Sequence, residues 1–162
     1  MIKLPKTKKV YVIGMAGLEE ELRDEGIQVL GGTVMSVLRD YAPHLDERYL
    51  LQDPQDCTLE SFDLGTFERD PDVGAVVCGL DTKINYTKLS KAYQYLLHDP
   101  ACHFIATNED STYPSAHGLL PGAGSVSAPL RYALNKNPVC TGKPSSTMLD
   151  CIKAKYGSLL SS

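Results

Sequence analysis

The chain has 162 residues, 43% of them hydrophobic, which is enough for one compact domain, or one domain and a piece of another, around a buried core. Its formal net charge is -4 and its basic run at residues 6–9 is short, so neither nucleic acid nor an anionic membrane surface is an expected partner. No apolar run reaches the length of a membrane span.

The cysteines and the N-terminus bear on the compartment in which the chain works. The cysteines are odd in number and include no CxxC pair, so we interpret them as reduced, mostly buried thiols. The apolar stretch that ends at Gly14 has only about five residues, which is too short for the core of a signal peptide. We therefore expect a cytoplasmic protein. The cysteines are Cys57, Cys78, Cys102, Cys140 and Cys151.

The first predicted unit is a strand, a helix and a second strand. VYVIG, at residues 10–14, is a β-branched and aromatic run that predicts a strand. Leu18 and Leu22 stand four residues apart on one face of a predicted helix, which Gly26 ends in the left-handed conformation. IQVLGG, at residues 27–32, resumes as a strand, so the unit has about the length that a parallel crossover needs.

The second predicted unit begins with GAVVCGLD, at residues 74–81, an almost continuous apolar run typical of a central strand buried on both faces. An amphipathic helix follows, and CHFIATN, at residues 102–108, is the next strand. The helix has an apolar face with Leu89, Ala92, Tyr93, Leu96 and Leu97, and an opposite face with Lys88, Lys91 and Gln94. Two such units in series predict an α/β fold of three layers, with flanking helices on a mostly parallel sheet.

Three other stretches have weaker patterns. Residues 39–73 contain proline and acidic breaks, and a partner helix is predicted near residues 34–41. PVCTG, at residues 138–142, predicts a short strand. Residues 145–157 predict a final amphipathic helix.

The segment after Asn108 is rich in turn residues and is predicted to be a long loop. The loop is expected to end at Ser125, which would cap the next helix. Pro129 fits that helix only if it lies near the first turn, because a proline farther inside a helix removes a backbone hydrogen bond.

Lys143, in the segment GKPS, is the first candidate for chemistry. It follows a predicted strand and precedes a helix that Ser145 would cap, so its ammonium and the amides of the helix start could bind a phosphate together. The segment is not a P-loop, since the earlier glycine of that motif is missing. Alternatively, GKPS is a plain strand-to-helix turn with a solvated lysine.

The segments GLD and TNED, and the glycines of PGAGS, also lie near the carboxyl ends of predicted strands, where α/β proteins bind ligands. Asn108 and Asp110 offer an amide and a carboxylate to a polar substrate, or they satisfy backbone amides within their own loop. Gly122 and Gly124 allow close backbone approach, or they only form a turn. Asp81 faces the same site or caps the helix that starts near Tyr86.

The order of these motifs resembles a known family of phosphatases. KVYVIGMAGLEEELRDEGI, DPDVGAVVCGLDTKINYTKLSKAYQYL, HFIATNEDSTYP, LLPGAGSVSAPL and CTGKPSSTMLDCI occur in the sequence, order and spacing of the haloacid dehalogenase-like 4-nitrophenyl phosphatases and phosphoglycolate phosphatases. The resemblance covers residues 8–157. It implies a type C2 α/β cap at residues 10–136, and a returning core strand and helix at residues 137–157. It also implies a linker from the missing core at residues 1–9 and a tail at residues 158–162.

The resemblance also implies a chemistry. Enzymes of this family hydrolyse small phosphorylated metabolites through an aspartyl-phosphate on a DxDG motif, with Mg²⁺ held by aspartates of that motif and of a later GDxxxTD motif. A lysine in a GKP segment stabilises the phosphoryl group, and Lys143 matches it. The cap closes over the site with substrate-selecting loops, which implies substrate contacts for Asp81, Asn108, Asp110, Gly122 and Gly124.

The sequence contains neither DxDG nor GDxxxTD. We therefore expect a cap-domain fragment that is inactive alone and binds no metal by itself, whereas the complete enzyme uses Mg²⁺. The alternative is a substrate-binding or dimerisation module, because caps of this family can form homodimers. A nucleotide-binding Rossmann protein is disfavoured, because the first unit lacks GxGxxG.

Overall fold

The computed structural model describes residue 5 and residues 7–32 and 62–142. The helices predicted near residues 34–41 and at residues 145–157 lie outside the described residues, and so does Lys143.

Within these ranges the chain forms two sheets. The strands are β1 (Lys9–Ile13), β2 (Val29–Gly31), β3 (Val73–Cys78), β4 (His103–Ala106), β5 (Thr112–Ser115), β6 (Gly118–Pro121) and β7 (Val139–Cys140). Five of them pair in parallel in the order β2-β1-β3-β4-β7. β5 and β6 form a separate antiparallel hairpin. The predicted α/β fold with a mostly parallel sheet is confirmed.

The helices cover both faces of the five-stranded sheet. They are α1 (Ala16–Asp24), α2 (Tyr86–His98) and α3 (Ala123–Leu134). Leu18 and Leu22 of α1 pack against β1 and β3 on one face. α2 and α3 contribute buried side chains such as Leu96 and Leu130 to the cluster on the other face. The described residues therefore form the three layers that the two crossover units predict.

β3 is the centre of the sheet. All six of its residues are buried, because β1 and β4 flank it and helices cover both of its faces. The run of small and β-branched side chains in VGAVVC suits such a position, where no side chain meets water. The central strand predicted from the sequence is confirmed.

The prediction of a long loop after Asn108 is wrong, because most of that segment forms the β5–β6 hairpin. The strands pair through a two-residue turn between Ser115 and Gly118, and the Ser115 hydroxyl donates to the Gly118 carbonyl oxygen at 2.7 Å. Gly118 has a φ of 139°, which favours glycine. The prolines and small residues of this segment hide its strands from pattern analysis, since they are also typical of loops.

The start predicted for α3 is also wrong. The residue that caps the helix is Gly122, and Ser125 lies inside it, donating its hydroxyl to the Ser111 carbonyl oxygen at 2.6 Å. Because the helix begins earlier than predicted, Pro129 falls in its interior rather than in its first turn. Because Pro129 has no amide hydrogen, the Ser125 carbonyl oxygen loses its helical partner. Ser125 and Pro129 are both exposed, so water can donate to that oxygen instead.

β7 follows α3 and pairs with β4 in the same sheet, with Ile105 opposite Val139. The family resemblance implies that this strand belongs to a returning core segment, residues 137–157. The boundary at residue 136 stays a prediction, and the described part of the returning segment is an edge strand of the sheet.

Three of the five cysteines of the sequence, Cys78, Cys102 and Cys140, lie in the described residues. The three cysteines among them are free thiols, and burial raises the pKa of Cys78 to about 12 and that of Cys102 to about 11. None of the helices in these ranges has the length and hydropathy needed to cross a membrane.

A prediction concerns the start of β1. The Lys9 ammonium donates to Asp70 at 2.7 Å, and this hydrogen bond holds the pKa of the Asp70 carboxyl below its ordinary value of 3.8. The contact therefore adds stability above pH 3.8, and this contribution is lost as the pH falls through the folded-state pKa. We expect Asp70→Asn to cause a small loss of stability at pH 7, as for other ion pairs near the surface, and a smaller loss at pH 2.5.

Urea unfolding at the two pH values measures this difference. Glu68→Gln is the control, because Glu68 is exposed on the same segment. A loss of equal size at both pH values would contradict the prediction.

Candidate functional site

The carboxyl ends of the strands form one continuous edge. The amide of Gly79 donates to Ile13 O at 2.8 Å, that of Thr107 to Cys78 O at 2.9 Å and that of Thr141 to Ala106 O at 2.9 Å. These bonds extend the sheet past the strand ends and place the GLD, TNED and CTG residues side by side. We call residues 79–81, 107–110 and 141–142 the carboxyl edge.

Gly142, the first residue of GKPS, packs against the TNED segment. A Cβ added at Gly142 would overlap the carbonyl oxygen of Thr107 and would lie 3.5 Å from the Cβ of Asn108. Only glycine allows this approach. Lys143 lies outside the described residues, but the residue before it is at the carboxyl edge, where the sequence predicts a phosphate site.

Asp81 is buried, with 3% of its surface exposed. One carboxylate oxygen accepts the Lys83 amide at 2.8 Å, and the other accepts the Lys88 ammonium at 2.8 Å. The contact therefore ties the β3–α2 loop to α2. A substrate contact for Asp81 stays a prediction, and the described contacts give the residue a structural role.

The position of Lys88 corrects the prediction that it lies on the polar face of its helix. Its exposed fraction is only 3%. The cap of α2 is Asn85, whose side-chain oxygen accepts the Lys88 amide at 2.9 Å, so Asp81 does not cap this helix. The helical spacing could have revealed that Lys88 is buried, because it stands four residues before the buried Ala92 and so lies on the same face of the helix. Lysine is rarely buried, however, and sequence reasoning therefore placed it in solvent.

Asn108 and Asp110 lie together at the carboxyl edge. The side-chain oxygen of Asn108 accepts a hydrogen bond from the Asp110 amide at 3.1 Å. Of the two roles predicted for Asn108, this oxygen therefore has the structural one, a hydrogen bond to a backbone amide of its own loop. The backbone carbonyl oxygen of Asp110 accepts the Gly124 amide at 2.9 Å, while its carboxylate side chain is exposed. Asp110 thus presents a charged group at this edge.

Gly122 and Gly124 pack against the same loop. A Cβ on Gly122 would overlap the carbonyl oxygen of Asp110, and a Cβ on Gly124 would overlap that of Glu109. The close backbone approach predicted for these glycines is present, and it joins the start of α3 to residues 109–110. A contact of either glycine with a ligand stays a prediction.

Arg131 is a contributor that sequence reasoning missed. Its guanidinium lies 3.5 Å from the Glu109 carboxylate and donates to Asn137 Oδ1 at 3.1 Å. It therefore links α3 both to the TNED loop and to the turn before β7. No local pattern predicts the contact with Glu109, which lies 22 residues away along the chain.

The gap between the ends of β1 and β3 is the place where an open α/β sheet often binds a nucleotide, because the connections diverge there. Leu18 fills it. A Cβ on Gly14 would be 2.8 Å from Leu18 Cδ2, and one on Gly79 would be 3.2 Å from it. This packing does not favour a nucleotide at that position.

In the part of the chain that the structure describes, no group of three or more His, Cys, Asp or Glu side chains is arranged to hold a metal ion. These residues do not fit a magnesium site, and no chemical step is assigned to a metal on them.

The buried Asp81–Lys88 pair makes a prediction about stability. Lys88→Met leaves a buried carboxylate without its cation, so we expect the free energy of unfolding to fall by about 3–5 kcal/mol. Urea unfolding followed by circular dichroism measures the loss. Adding Asp81→Leu to Lys88→Met removes the second charge and should recover part of the stability.

Lys91→Met is the matched control on the same helix, because Lys91 is only half-buried. We expect it to change the free energy of unfolding by less than about 0.5 kcal/mol. If both lysine substitutions have the same effect, the buried pair is not a main support of this loop.

The chain matches no protein-family model, but it has clear relatives. It is 40% identical over 154 residues to a 4-nitrophenylphosphatase of Schizosaccharomyces pombe, a match that covers 95% of this chain and 45% of that enzyme. It is 38% identical over 154 residues to phosphoglycolate phosphatase 2 of Arabidopsis thaliana, covering 94% of this chain and 45% of that enzyme. The chain spans about half the length of these curated relatives.

Solved structures share the fold. A hypothetical protein from Pyrococcus horikoshii is 28% identical with a TM-score of 0.62, over 92% of this chain and 45% of that one. A glycerol phosphate phosphatase from Mycobacterium tuberculosis in complex with magnesium is 22% identical with a TM-score of 0.64, over 96% of this chain and 36% of that one. Over nearly all of its own length, the chain is therefore a homologue of 4-nitrophenylphosphatases and phosphoglycolate phosphatases.

Proposed function

We propose that the chain is the substrate-selecting cap, with the first part of the return into the core, of a Mg²⁺-dependent phosphatase acting on small phosphomonoesters. The observation that supports this function best is the packing of Gly142 against Thr107 and Asn108. It joins the segment that leads to Lys143 to the polar TNED loop. A phosphate and the rest of a small substrate could therefore be bound at one edge.

In this proposal the carboxyl edge faces the substrate. Lys143 contacts the phosphoryl group as a cation, and Asn108 and Asp110 contact polar groups of the substrate. The β5–β6 hairpin leaves the edge between β4 and α3, and it exposes 70% of Leu119 and 45% of Leu120. Neighbouring strand residues point to opposite faces, so the hairpin offers an apolar surface on each side.

The aspartates of the reaction are not in this sequence. Phosphoryl transfer through an aspartyl-phosphate needs an in-line carboxylate nucleophile and neutralisation of the charge on the phosphoryl oxygens. The sequence has no DxDG or GDxxxTD motif, and a lysine supplies neither function of those motifs. We therefore propose that the chain is inactive by itself. The free thiols of Cys78 and Cys102 fit a cytoplasmic protein.

A second candidate function is a dimerisation module without catalysis. The observation in its favour is the outer face of α3, which is exposed and carries no charge. This face consists of Ser125, Ala128, Pro129, Tyr132 and Ala133. The two functions are compatible, because that face and the carboxyl edge do not coincide.

An NMR titration with phosphoglycolate tests the proposed substrate edge. We expect the largest chemical-shift changes at the amides of Thr107, Asn108, Asp110 and Gly142. Lys143→Ala should weaken binding about tenfold or more, because it removes a charge-assisted contact with the phosphate. Glycolate, which has no phosphate, should bind much more weakly than phosphoglycolate.

Lys136→Ala is the control variant, since it removes an exposed lysine that lies after α3. Shift changes confined to the opposite edge of the sheet, or equal weakening by the two lysine variants, would contradict a phosphate site at the carboxyl edge.

A further inference from the structure

Three carboxylates lie at the carboxyl edge, and helices supply a cation to two of them. The Lys88 ammonium of α2 lies 2.8 Å from Asp81, and the Arg131 guanidinium of α3 lies 3.5 Å from Glu109. The Asp110 side chain is exposed, so water weakens the field of its charge. Because nearby carboxylates repel a dianionic phosphate, such pairing matters at an edge that is proposed to bind one.

Two partners hold the Arg131 side chain in place. Its Nε and Nη2 groups donate to Asn137 Oδ1 at 3.3 and 3.1 Å, and its Nη1 group faces the Glu109 carboxylate. The arginine and glutamate side chains are 36% and 33% exposed. A guanidinium that one partner already fixes loses less conformational freedom when it binds a second. We therefore expect this ion pair to be better ordered than an isolated surface pair.

The ion pair is not what fixes the backbone of the TNED loop. The Gly124 amide donates to the Asp110 carbonyl oxygen at 2.9 Å, and a Cβ on Gly124 would overlap the Glu109 carbonyl oxygen. The Gly142 backbone packs as closely on the same loop. Since these contacts hold the backbone, Arg131 determines where the Glu109 carboxylate lies rather than where the loop lies.

The position of the Glu109 carboxylate matters because Glu109 directly follows Asn108, which packs beside Gly142. Consecutive Cα atoms are about 3.8 Å apart, so a Glu109 side chain turned away from α3 would bring its charge within roughly 10 Å of a phosphate at Asn108. At that separation in water, a carboxylate and a dianion repel each other enough to weaken binding about fourfold. A guanidinium beside the carboxylate cancels most of this repulsion.

We propose that Arg131 is a positioning residue for phosphate binding. It holds the Glu109 carboxylate on the α3 side of the TNED loop and neutralises it, so the phosphate meets no added negative charge beside Asn108. Arg131 acts through Glu109 and does not touch the substrate. This inference rests on the proposed function, because it assumes a phosphate at the carboxyl edge.

An NMR titration of the 162-residue chain with phosphoglycolate, at low salt and about pH 8, where the phosphate is dianionic, tests this role. Arg131→Met should weaken binding about fourfold, because Glu109 keeps its charge and loses its partner. Adding Glu109→Gln to Arg131→Met should restore the affinity of the parent chain, because that carboxylate no longer repels the phosphate. If Arg131 only supported the fold, the double variant would bind no better than the single one.

Further measurements separate this effect from the loss of a positive charge alone. Lys136→Met removes an exposed cation that follows α3, and it should change the affinity by less than about 1.5-fold. Arg131→Lys keeps a cation within reach of Glu109 and should retain most of the affinity. In about 0.5 M sodium chloride, which screens charges within a few ångströms, the loss caused by Arg131→Met should fall below about twofold.

Circular dichroism of each variant confirms that it is folded. Parent-like affinity of Arg131→Met, a double variant as weak as Arg131→Met, or a loss that salt leaves unchanged would overturn the role of Arg131. A parent chain that binds no phosphoglycolate would overturn the proposed phosphate site, and this inference with it. Binding by the parent chain with no effect of Arg131→Met would overturn this inference alone, so the two failures are distinguishable.

Discussion

Three glycines pack so closely against residues 107–110 that a Cβ on any of them would overlap a backbone carbonyl oxygen. Gly122 and Gly124 fix the start of α3 to this loop, and Gly142 fixes the chain after β7 to it. The start of α3 and the position of Gly142 are thus both set by one short loop at the end of β4. An added methyl group at these positions would force the backbones apart. The proposed substrate edge depends on this constraint.

The strands of the sheet could be predicted from the sequence because the residues that mark each strand lie close together along the chain. The apolar run of β3, and the glycines after β1, β3 and β7, mark strands and their ends within a few residues. The burial of Lys88 could not be predicted with the same ease, because it depends on a partner, Asp81, on a different element. The hairpin was missed because its pairing outweighs a composition typical of loops. Arg131 was missed because its contact with Glu109 exists only once the sheet has formed.

The family assignment and the proposed role have different supports. Identity of 40% over 95% of the chain supports descent from a common phosphatase ancestor, while the match spans 45% of the relative. The proposed division of labour follows from chemistry, since a cationic lysine and polar loops can select and orient a phosphoester without cleaving it. Cleavage needs carboxylates that the sequence motifs do not provide. The relationship to known phosphatases and the chemistry of the residues are both consistent with one arrangement. In it, the cap selects the substrate and the core transfers the phosphoryl group.

The most direct test is a chimera in which residues 8–157 replace the matching segment of the Schizosaccharomyces pombe 4-nitrophenylphosphatase, which is 40% identical to this chain. We measure kcat/KM for 4-nitrophenyl phosphate, phosphoglycolate and glycerol phosphate, beside the unmodified enzyme and the isolated chain. The account predicts that the isolated chain has no Mg²⁺-dependent turnover, and that the chimera is active with a changed ranking of the three substrates. Turnover by the isolated chain, or a folded, active chimera whose ranking equals that of the unmodified enzyme, would contradict it.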